Sequence, residues 1–90
     1  MSADGWVDRL ADELGERRLA PAEVGAILKL AREVAHGVER RLAPLTAYVL
    51  GLYVGRETTE GTPPDEALAE ATRAALSMIP PGGGEPDRPA

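Results

Sequence analysis

The 90-residue chain has no cysteine and no phenylalanine, and only one tryptophan, one histidine and one lysine. Without cysteine there are neither disulfides nor zinc–thiolate sites, which suits a reducing cytoplasm. A lone histidine, His36, cannot build a histidine-rich metal centre. The longest uncharged run, which reaches Gly55, falls well short of the roughly 20 residues a bilayer span requires. The amino-terminal stretch is acidic rather than basic, so nothing reads as a signal peptide. A chain of this size buries only about 60–65 % of the surface its unfolded form exposes, so its stability margin is thin. With no staple of metal or disulfide, helix packing and self-association, as a dimer, are the expected supports.

What is present is charge, alanine and helical periodicity. The formal net charge of −5 argues against nucleic acid as a partner. Residues 1–16 carry five acidic and one basic side chain, residues 57–90 seven and two, and the middle three and seven. Two acidic ends flank a basic centre. Either the ends fold back on the centre, or the centre offers a surface to an anion or an acidic partner.

The spacing predicts four helices and no strands, an up-and-down bundle over residues 1–79, with a disordered Pro/Gly-rich tail over 80–90. In the first helix, near 4–15, Asp4 is the expected cap and Gly15 the stop, while Trp6, Val7, Leu10, Ala11 and Leu14 form an inner face anchored by Trp6. The second, near 21–42, starts on Pro21 and buries Val24, Ile27, Leu28, Ala31, Val34, Ala35, Val38 and Leu42. Ala43, before Pro44, is expected to leave the helical region.

The third, near 44–55, is apolar on almost every side and is expected to be the central helix, with Leu50 in the core. Ala47, Gly51 and Gly55, spaced by four, are expected to mark a tight crossing within the chain. Tyr48 and Tyr53 fall on different faces, one inside and one at the surface. The fourth, near 63–79, is expected to be capped by Thr62 and to turn Leu68, Ala71, Ala75, Met78 and Ile79 inward.

Candidate chemistry is sparse. His36 lies off the apolar stripe near Lys29, Glu33 and Arg40, and faces solvent or bonds to Glu33. Gly37 costs a helix roughly 1 kcal/mol relative to alanine and so invites a packing reason. The candidate contact surface is therefore His36, Gly37 and Arg40, which could meet a carboxylate, a phosphate or a partner chain. No nucleophile stands at a telling position. The Gly82–Gly84 run has no strand before it or helix after it, so it is no phosphate loop. No catalytic residue, metal site or cofactor is expected.

The segment "LAREVAHGVERRLAPLTAYVLGL", Leu30 to Leu52, resembles an uncharacterised family of small helical proteins from bacteria with GC-rich genomes. Members stand alone or fused behind the nucleotidyltransferase that guanylates molybdopterin. The likeness covers roughly residues 4–78 and is densest at "VAHGVER" and "APLTAYVLGL". Arg41-Leu42 departs from the proline and small residue the family pattern has there, and no functional residue can be carried over. The resemblance implies a non-catalytic accessory or protein-interaction module in molybdopterin guanine dinucleotide biosynthesis, or beside a molybdenum enzyme such as formate dehydrogenase. The alternative is a self-associating structural bundle with no small-molecule ligand.

Overall fold

The computed structural model describes residues 3–81, without the side chains of Ala3 and Asp4. The chain is all-α, with four helices in order: α1 (Ala3–Leu14), α2 (Pro21–Gly37), α3 (Leu42–Thr59) and α4 (Pro64–Ser77). The tail expected to be disordered lies, from residue 82 onward, outside the described residues, as does the side chain of Asp4, the expected cap of α1.

Local chemistry sets most of the helix ends. Gly15 takes φ 72°, and the amides of Glu16 and Gly15 bond back to the carbonyls of Ala11 (2.9 Å) and Asp12 (3.2 Å). That is a Schellman cap, and it needs a residue free to be left-handed. Pro21 opens α2 where its missing N–H does no harm. Glu23 reaches back to the amide of Ala20 (2.7 Å), half of a capping box.

Four expected boundaries are corrected. α2 stops at Gly37 instead of Leu42, because the next helix begins early: with α3 starting at Leu42, Pro44 falls in its first turn, where no intrahelical amide is missed. Ala43 is helical despite preceding Pro44, so tertiary placement overrides the local bias. α3 runs four residues past Gly55 and ends in a second Schellman cap at Gly61 (φ 107°), where Thr62 and Gly61 bond to Glu57 (2.9 Å) and Thr58 (3.1 Å). α4 starts at Pro64 behind Pro63, and the hydroxyl of Thr62, expected to cap it, instead donates to Glu57 Oε1 at 3.2 Å.

The packed core lies among α2, α3 and α4, each touching the other two. Leu30, Val34, Leu50 and Leu68 are buried at its centre, with Ile27, Val54, Ala71, Ala75 and Ile79 packed around them. Full burial of a leucine or valine side chain such as the first four contributes roughly 1.5–3 kcal/mol. The inward face of α2 therefore runs through Leu30 and Gly37, while Leu28 and Val38 of the expected stripe are exposed. On α4, Ala67 is the most buried residue, and Met78, just past the end of the helix, points out.

α1 packs on none of the other three helices. Trp6, expected to anchor it, is 56 % exposed, with Leu10 and Leu14 also exposed beside it. Ion pairs join α1 to its own linker, and that linker to α2. Arg18 bonds to Asp12 through Nε (3.0 Å) and reaches Asp8 (3.9 Å), and Arg17 clamps Glu23.

Candidate functional site

His36 is exposed in the last turn of α2, Gly37 is buried at its end, and Arg40 is exposed in the turn that follows. The helical spacing that would align His36 with Arg40 stops at Gly37, so the three do not share one continuous helix face. Among the described residues no group of three or more His, Asp or Glu side chains is placed to hold a metal ion. No described helix is long and apolar enough to cross a membrane.

The feature that the geometry does build is apolar. Positions 45, 48, 49 and 52 recur at helical spacing on the outer face of α3. Leu45, Tyr48, Val49 and Leu52 there are between 57 and 70 % exposed. α3 is thus buried along one side only, which corrects the expectation of a helix enclosed by protein. Leu45 and Val49 continue into a groove of about 530 Å³ walled by Val34 of α2, Val38 just after it, Leu42 at the start of α3, Ala75 of α4, and Met78 and Ile79 just past the end of α4.

Tyr53, which lines the groove, also carries a polar cluster. The Tyr53 hydroxyl donates to Glu70 Oε1 at 2.9 Å, and the Arg56 guanidinium stands 5.4 Å from the ring centroid. The Glu70 carboxylate, accepting that proton, holds the phenol above its usual range. As the sequence suggested, one tyrosine packs inward and the other, Tyr48, reaches the surface.

A second groove, about 450 Å³, lies across α3 from the first, beside Ala47, Gly51, Val54 and Gly55. Gly51 and Gly55 are exposed, and nothing stands within 4 Å of where a Cβ would sit at either. The close crossing expected at this strip is therefore not made within the chain. The mouth holds Glu16, Arg17 and Glu23. Glu23 is only 8 % exposed, and its carboxylate receives Arg17 through two bonds of 2.8 and 2.6 Å. The Arg17 bonds, helped by the Ala20 amide and opposed by burial, hold Glu23 below the usual carboxylate range.

Sequence reading missed this surface because it equated a helix apolar on all sides with a buried one. The signal was available: a chain this short has too few other helices to surround α3.

The chain belongs to the family described as Domain of unknown function (DUF6457), which matches residues 1–83. No curated protein and no solved structure matches it.

Proposed function

Starting from membership in that family, we propose that the chain is a non-catalytic helical docking module serving molybdopterin guanine dinucleotide biosynthesis or a molybdenum enzyme. One observation carries the docking part, the uncharged groove continuous with the exposed outer face of α3. Monomeric proteins rarely leave contiguous apolar surface of more than about 300–600 Å² uncovered, and larger patches mark interaction sites. A groove of this shape takes the apolar face of an amphipathic helix, read as anchors three and four residues apart. The pathway rests on the resemblance carried by "VAHGVER" and "APLTAYVLGL". In this reading the protein works in the cytoplasm, the compartment its cysteine-free composition suits.

Isothermal titration of the purified chain against the molybdopterin guanylyltransferase and against its client molybdenum enzyme tests the proposal. Binding to either in the micromolar range, weakened at least tenfold by Val49→Glu, is expected. Heat flow indistinguishable from dilution with both proteins would overturn the pathway assignment. The second reading, a self-associating bundle without a small-molecule ligand, draws on a separate observation, the unpaired apolar ridge of α1.

A further inference from the structure

The chain leaves two apolar features uncovered, one convex and one concave. The convex one is the ridge of Trp6, Leu10 and Leu14 on α1, spaced by four and exposed along its length. The concave one is the groove bordered by Leu45 and Val49. We propose that two copies associate by exchanging α1, the ridge of each copy lying in the groove of the other. The inference rests on reading the groove as a docking surface, and it names the occupant.

The connection to α2 makes a second copy, rather than the same chain, the source of that ridge. Only residues 15–20 link α1 to α2, and Arg17 within them is clamped to Glu23. Glu16 and Arg17 border the smaller groove, on the Ala47–Gly51–Gly55 side of α3. Leu45, Val49 and Tyr53 border the larger one, on the opposite side. At 3.6 residues per turn these two sets point away from each other across the helix axis. The tether thus holds α1 beside one groove and away from the other. Arg18, bonded to Asp12 and reaching Asp8, occupies the polar edge of α1 and leaves the ridge facing outward.

Dimensions, area and charge agree with the exchange. Trp6 to Leu14 spans eight residues, about 12 Å of helix, and Leu45 to Tyr53 spans the same. A twofold arrangement makes the contact twice, because each copy supplies one ridge and one groove. With the ridge fully covered, two contacts bury on the order of 1,000 Å² in total, about the minimum for a specific interface. The groove walls carry no charge that docking would desolvate. Arg40 stands exposed at its end, in the turn between Val38 and Leu42, where an acidic residue of an incoming α1 would meet it, while the neighbouring Arg41 is already paired with Glu39 at 2.7 Å.

Trp6 is the chain's single tryptophan, so its emission reports directly on the ridge. The experiment combines light scattering with Trp6 fluorescence over a concentration series of the full chain. A mass that rises to the dimer, with a parallel blue shift of Trp6 emission, is expected. Leu10→Glu and Val49→Glu, both at exposed positions, should each weaken dimerisation at least tenfold while circular dichroism stays helical. An equimolar mixture of the two variants should associate more tightly than either variant alone, though more weakly than wild type, because the intact ridge of the Val49→Glu chain meets the intact groove of the Leu10→Glu chain in one of the two contacts.

Wild-type chain that stays monomeric at high micromolar concentration would overturn the exchange. So would a dimer whose Trp6 emission remains that of solvent, or a blue-shifted Trp6 in a monomer. The wild-type measurements decide the matter even if a variant fails to fold. A monomer that binds the guanylyltransferase would sink the exchange and leave the docking reading standing. A Trp6-buried dimer that ignores both that enzyme and the client molybdenum enzyme would support the exchange and remove the pathway.

Discussion

Replacing Glu23 by alanine tests what holds the start of α2 to the segment before it. The carboxylate is 8 % exposed and accepts three short bonds, two from Arg17 (2.8 and 2.6 Å) and one from the Ala20 amide (2.7 Å). It also stands in the first turn of α2, where negative charge meets the positive end of the helix dipole. Bonds to a charged group contribute about 1.5–3 kcal/mol each where both partners are dry. The Arg17 side chain, however, is 49 % exposed, so solvent screens much of that pair. The loss at pH 7 is therefore expected to be about 2–3 kcal/mol, of a total on the order of 5–10 kcal/mol for a domain this small. That corresponds to a fall in Tm on the order of 10–20 °C.

Acid should erase the difference. The carboxyl of folded Glu23 titrates below its ordinary value near 4.5, chiefly because Arg17 bonds to the charged form. Its contribution is therefore complete above about pH 4.5 and is lost as pH falls through the lower folded value. Urea unfolding of wild type and Glu23→Ala across pH 7 to pH 2 should show two curves that converge in acid. Arg17→Ala, alone and combined with Glu23→Ala, closes a cycle whose coupling should be about 1–2 kcal/mol. A gap below about 0.5 kcal/mol at pH 7 would refute the reasoning, as would a gap that persists unchanged at the acid end.

Other substitutions probe the rest of the fold. Leu50→Asp would bury an unpaired charge at the meeting point of α2, α3 and α4, and should abolish cooperative unfolding; a sharp thermal transition in that variant would refute the core assignment. Gly51→Ala adds a methyl to an exposed helix interior with open space around it, so it should stabilise by about 0.5–1 kcal/mol in urea titrations, and a loss instead would reveal a contact on that strip. Gly61→Ala forces a side chain into the left-handed cap of α3 and should cost about 1 kcal/mol by the same measurement.

Local physics made the existence of the four helices legible in the sequence. Helical periodicity, the start at Pro21 and the stop at Gly15 all act within a few residues, and each appears where expected. The burial of Leu50 was legible too, because a helix with no charge over its whole middle must bury something. What the sequence could not decide is which face turns inward. Leu30, the most buried hydrophobic residue after Ala67, lay outside the expected stripe, since a broad apolar arc admits several inward directions and only the neighbouring helices choose one. The same holds for the end of α2, which yields at Gly37 because α3 claims Leu42 and Ala43 for the turn that accommodates Pro44. The Arg17–Glu23 clamp joins a linker to a helix six residues on, a pairing that helical spacing does not suggest. Only the tertiary structure separated α1 from the core and left one side of α3 bare. An amphipathic pattern states that a face will be covered; whether its own chain can reach to cover it depends on linker length and on which side of the bundle that linker is tied.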